Sequence, residues 1–195
     1  MSARTAGPPG PSSALSSVLP HGSSRLTRGA GTILFLFVLA VLLAYQYQLR
    51  HLEAVGAARL FGLGTPTLAA SRAPIVYFGL GRPDAFGLTI TPECSSTLLI
   101  APVFLIGGAM LLGRRMTPQR VLAAVGAAAF LLIVGNQLRI GLIAYLISEL
   151  GFHTGYEWGH LVLGTVVSIV FIGASLTLLV AVLSTGRTHR QRAAA

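Results

Sequence analysis

Val121 to Leu150, VLAAVGAAAFLLIVGNQLRIGLIAYLISEL, is about thirty mostly apolar residues broken by the cluster Gly135-Asn136-Gln137-Leu138-Arg139. A helix rising ~1.5 Å per residue crosses a hydrocarbon core of about 30 Å in about twenty residues, so this stretch reads as a membrane span. Arg139 lies nineteen residues beyond Arg120, which lifts it ~28 Å, close to the opposite boundary. Ile140 to Leu150 is too short for a second crossing. The helix is therefore either tilted and protruding, or bent near Gly135 or Gly141.

Working outward, Thr97 to Leu112 precedes it across the basic turn Gly113 to Arg120. Gly31 to Leu49, ending Tyr45-Gln46-Tyr47, reads as an uncleaved anchor whose tyrosines suit the interface. Glu149 to Gly159 leads into a last apolar run from His160 to Leu183. The expected fold is an all-α integral membrane protein with about four spans, near 31–49, 95–112, 121–147 and 160–183. Residues 1–29, rich in Ser, Pro and Gly, read as a disordered basic tail, and 186–195 as a second basic tail. The outer loop 50–94 combines a helical continuation (Leu52, Val55, Leu60) with a small hairpin. In the hairpin, Ile75-Val76-Tyr77-Phe78 and Phe86 to Ile90 flank Gly81-Arg82-Pro83-Asp84.

Composition agrees. Of 195 residues 53% are hydrophobic and 10% charged, and the mean hydropathy is +0.75, which excludes a soluble globular domain. The basic residues are 14 arginines and no lysine. Such an excess can signal nucleic acid or anionic lipid, but its placement points to topology, with the lipid bilayer and no nucleic acid as partner. The N-terminal tail, the Gly113 to Arg120 turn and the C-terminal tail hold three arginines each and no acid, whereas Glu53, Asp84, Glu93, Glu149 and Glu157 all fall on the other side. The positive-inside rule puts both termini in the cytoplasm of a multi-pass cell-membrane protein, with Cys94 outside.

Cys94, the only cysteine, lies in Thr91-Pro92-Glu93-Cys94-Ser95-Ser96. Thr91 suits an N-cap, Pro92 the first helical position and Glu93 the positive helix end, so the second span is expected to begin there with Cys94 in its first turn. Free N–H groups and the dipole at a helix start favour thiolate over thiol. One cysteine makes no internal disulfide, and a thiol oxidoreductase lacks its resolving partner. Arg139 is read either as a snorkelling anchor or as a functional cation inside the membrane. Asn136 shares its face and can hold the guanidinium, or glue helices together. His160 opens the last span at the level of Cys94 and is either an interfacial residue or an acid/base group. Glu157, a turn earlier, can orient it or merely solvate the loop. No cofactor is expected, and no metal, since His153 and His160 lack a convincing third ligand.

Glu93-Cys94-Ser95-Ser96, then Asn136-x-x-Arg139-Ile140, then His160-x-x-x-Gly164, in that order at outer helix ends, resembles the exosortase/archaeosortase family of membrane cysteine proteases and transpeptidases over about Pro92 to Leu183. The resemblance implies that Cys94 is the nucleophile, that Arg139 stabilises the oxyanion or aligns the thiolate, and that His160 assists proton transfer. It also implies substrates that are exported proteins with a C-terminal motif, membrane helix and basic cluster, cut through a thioacyl intermediate and passed to an acceptor at the outer surface. Ser96 stands where the family often has glycine, leaving a hydroxyl near the site, and many relatives have about eight spans. Two other classes stay open: an assembly or adaptor protein whose small-residue runs, such as Gly126 to Ala129, pack helices, and a small transporter with Arg139 lining an anion path.

Overall fold

The computed structural model describes residues 23–62, 66–112 and 117–192. It is mostly helical with one small antiparallel sheet. In chain order it comprises α1 (Ser23–Ala44), α2 (Gln46–Phe61), β1 (Thr67–Ala69), β2 (Ile75–Phe78), β3 (Phe86–Thr89), a single 3-10 turn (Pro92–Cys94), α3 (Ser96–Leu112) and α4 (Pro118–Leu150). After these, α5 (Phe152–Glu157), a π-helical turn (Trp158–Leu163) and α6 (Gly164–Arg192) follow one another without a break. Residues 1–22, 113–116 and 193–195, parts of the two tails and of the basic turn, lie outside the described residues. Helix does, however, reach back to Ser23 and on to Arg192, into both segments read as tails.

Two helical stretches, Pro118–Leu150 and Phe152–Ser184, are long and apolar enough to cross a membrane. The third is a bent pair, Gly29–Ala44 with Gln46–Phe61, whose axes differ by 73°. The first span, expected to continue to Leu49, thus breaks at Tyr45. The apolar run is exhausted there, and the polar side chains beyond it find partners on the loop that follows: Tyr47 Oη donates to Arg72 O at 2.9 Å, Arg50 Nη1 donates to Ile90 O at 3.3 Å, and a ring nitrogen of His51 lies 2.9 Å from Ala70 O. Helix α3, an apolar helix with Pro102 inside it, falls short of the length of the other two. Helix α4 runs through Gly135 and Gly141 as one continuous helix.

The hairpin forms as expected, in the register Ile75↔Thr89 to Phe78↔Phe86, and β1 adds a third strand on the other edge of β2. Gly79 and Gly81, at φ 68° and 83°, take the left-handed conformation that its turn requires. The sheet presents Val76, Phe78 and Leu88 to Ala54 and Ala57 of α2 and to Ile140, Ile143, Ala144 and Ile147 of α4, an outer core on which Cys94 and Tyr156 also pack. A second core lies between α1, α3, α4 and α6, around Phe35, Val103, Val125, Leu132 and Leu179. Thr32 Oγ1 donates to Gly108 O at 3.3 Å and Ser175 Oγ to Ala128 O at 3.1 Å across its helix pairs. Leu34, Phe37, Leu98, Phe130, Ile169 and Val180 point outward and exposed, an apolar circumference suited to hydrocarbon.

Candidate active site

Cys94 closes the 3-10 turn and precedes the helix; it does not lie in the first turn of the second span. Ser95 returns to extended backbone (φ −93°, ψ 140°) and α3 starts at Ser96. The reason is a competition between caps. Thr91 makes no capping bond, whereas Ser95 Oγ accepts the Thr97 amide at 3.3 Å, the side-chain bond of an N-cap. The Thr91 hydroxyl is used on Glu93 instead. Glu93 is fully exposed, and its carboxyl is held below the usual range first by a bond from its own amide, then by Thr91, with Arg50 and His160 adding attraction.

The Cys94 Sγ lies 3.6 Å from His160 Nδ1, within hydrogen-bond reach for sulfur. His160 does not open the last helix, which begins at Phe152 immediately after Gly151 (φ 78°) reverses the chain. It sits two turns in, on the π-helical segment, where its ring stacks on Tyr156 with centroids 5.1 Å apart and planes within 5°. Tyr156 in turn stacks on Phe152. These residues follow at intervals of four and share one helix face, so the ladder fixes the plane of the imidazole. The π turn, a feature frequent at functional sites, falls on the histidine itself. Gly155 and Gly159 face α4: a Cβ at Gly155 would collide with the carbonyl of Leu146, and one at Gly159 would stand 3.1 Å from Ile143 Cα. Only glycine lets the two helices approach closely enough for His160 to reach the thiol.

Arg139 is 8% exposed, and its Nε is buried without a partner. Its stem crosses α6 at Gly164, where a Cβ would lie 2.9 Å from Nε, and its charge is close enough to act on His160. The spacing His160-x-x-x-Gly164 thus has a local physical reason: one position supplies the imidazole and the other makes room for the guanidinium. An unpaired buried donor is costly unless something else satisfies it.

Two supporting residues lie elsewhere than expected. Asn136 does not hold Arg139; its Nδ2 donates to Glu53 Oε2 at 3.4 Å and its Oδ1 has no partner. Glu157 pairs with His153 at 3.7 Å on an exposed face, because i,i+4 spacing brings those two together. Glu53, read from sequence only as one more acid on the outer side, is 8% exposed and accepts from Ser96 N at 2.8 Å, from Ser96 Oγ and from Ser95 Oγ at 3.4 Å. The Ser96 hydroxyl is thereby consumed. A buried carboxylate needs such donors, and an acid nine residues after the apolar run ends at Ala44, in an otherwise helical stretch, was the available signal. No three His, Cys, Asp or Glu side chains converge on a metal site among the described residues.

The chain matches no family model, no curated protein and no solved structure.

Proposed function

We propose that this chain is a membrane-embedded cysteine protease or transpeptidase that cleaves and sorts exported proteins carrying a C-terminal motif, a membrane helix and a basic cluster. The observation that carries the reading is the 3.6 Å contact of the lone thiol with His160 Nδ1, beside a buried arginine whose Nε has no partner among the described residues. A nucleophile within reach of a base, next to a cation, is the constellation of acyl transfer. The order of the residues, similar to exosortases and archaeosortases, supports the same reading. In this topology α1, α3, α4 and the helix from Phe152 each cross the bilayer, both termini are cytoplasmic, and Cys94 works at the outer face.

Cys94 gives its proton to His160, and the sulfur bonds to a backbone carbonyl carbon as the C=O electron pair moves to oxygen. Arg139 balances that oxyanion. Collapse breaks the C–N bond, and the departing amine takes the proton from His160, leaving a thioester. Water or an amine acceptor then attacks the thioester and releases Cys94. The exposed Glu93 carboxylate, within electrostatic reach of His160, steadies the imidazolium formed in between.

The experiment is an in-cell processing assay that follows tail-bearing exported proteins by size beside wild type, Cys94→Ala, Arg139→Ala and His160→Ala, each checked for accumulation. Processing should stop with Cys94→Ala. Normal processing by that variant would sink the peptidase reading and leave an adaptor role.

A further inference from the structure

We propose that Glu53 is the positioning residue of this site, a buried carboxylate on α2 that sets the geometry of the nucleophile turn and of the helix carrying Arg139; the proposal rests on the peptidase reading given above. Three observations converge on it. Glu53 Oε1 accepts from the Ser96 amide, the Ser96 hydroxyl and the Ser95 hydroxyl, the two residues directly after Cys94. Glu53 Oε2 accepts from Asn136, one helical turn before Arg139. The Glu53 backbone carbonyl accepts from Gln137 Nε2 at 3.4 Å, tying the same turns of α2 and α4 a second time.

All four contacts to its side-chain oxygens come from donors, the Ser96 amide, two hydroxyls and the Asn136 amide, a set that a carboxylate can accept in full. The charge sits at the N-terminus of α3, where the unpaired amides and the helix dipole favour an anion. Ser95 acts twice, capping Thr97 while donating to Glu53. Extended backbone at Ser95, which turns Cys94 off the axis of α3 and toward His160, is thus held from both sides. Without Glu53 the Ser96 amide and hydroxyl lose their acceptor and the Ser95 hydroxyl keeps only Thr97 Oγ1 at 3.2 Å, so α3 is free to extend back through Ser95 and carry Sγ away from Nδ1. Asn136 is held by the same carboxylate, so the thiol and the guanidinium share one anchor.

The test uses the full chain in detergent, with Cys94 as the sole cysteine, so alkylation by iodoacetamide reports that thiol alone. Wild type, Glu53→Gln, Glu53→Asp and Ser96→Ala are compared for alkylation rate against pH, gel-filtration profile and thermal unfolding. Glu53→Gln should slow alkylation at neutral pH by about 10- to 100-fold, the order expected for a misplaced reacting group, and displace the midpoint of the pH profile. Glu53→Asp should recover part of the rate, and Ser96→Ala, which removes a single donor, should show the same displacement to a smaller extent. Profiles of Glu53→Gln and Ser96→Ala that overlay wild type would overturn the proposal, as would slowed alkylation with an unmoved midpoint, the mark of a purely structural cap. Alkylation does not depend on substrate. If Cys94→Ala still processes tails while Glu53→Gln shifts the profile, the peptidase reading fails and the positioning of the thiol stands.

Discussion

Cys94 Sγ and His160 Nδ1 stand 3.6 Å apart across 66 residues of chain. The contact joins the turn before α3 to a π-helical turn beyond α4, and an aromatic ladder holds the histidine side of it.

If the imidazole takes the thiol proton, His160→Ala should slow alkylation of Cys94 at neutral pH and lower tail processing by about 10²- to 10⁴-fold, the usual contribution of a general base. His153→Ala is the control, because His153 is exposed and pairs only with Glu157. Equal rates in the two variants would remove His160 from the chemistry.

Gly164→Ala adds a methyl 2.9 Å from Arg139 Nε and 2.7 Å from the Gly159 carbonyl. Displacement of the guanidinium should cut processing by on the order of 100-fold. Gly173, which has open space around its missing Cβ, should accept alanine with no change in processing.

Gly135→Ala would push a methyl into the Phe171 ring, where α4 packs on α6. Overpacking of this kind costs about 1–3 kcal/mol, read as a lower unfolding temperature in detergent. Phe171→Leu in the Gly135→Ala background should recover part of it, and the double-mutant cycle should show coupling. Additive effects would mean that the two helices are not apposed there.

Glu157→Gln should leave processing within about twofold of wild type, because an exposed i,i+4 pair contributes little to stability or geometry. A large loss would restore Glu157 as the orienting partner of His160.

Glu93 has a depressed carboxyl, so its folded form is favoured above the ordinary glutamate range and that preference is lost as pH falls through its lowered value. A carbon-13 titration should place it below the ordinary glutamate range, and Thr91→Val should move it back up. A Glu93 titration unchanged by Thr91→Val would contradict the hydroxyl contact.

Much of the fold is legible in the residues, because apolar length and period-two alternation report burial directly. The runs ending at Leu49, Leu112, Leu150 and Leu183 became helical, the first with a break at Tyr45, and Ile75 to Ile90 a hairpin with left-handed glycines at its turn. Cys94, Arg139 and His160 could be picked out as polar side chains at the edges of apolar runs. Burial patterns do not, however, name partners. Nothing local to Glu53, in a polar stretch with Arg50 and His51 nearby, says that it will meet Ser96 and Asn136. Likewise, the i,i+4 pairing of Glu157 with His153 competed unseen with a role beside His160. The break at Tyr45, the shift of the helix start from Thr91 to Ser96 and the π turn under His160 were settled by long-range hydrogen bonds and close helix approach. The sequence by itself determined which segments must leave water and which side chains can react. Only tertiary structure decided which donors reach which acceptors, since a buried polar group takes whatever partner the packing of other elements brings to it.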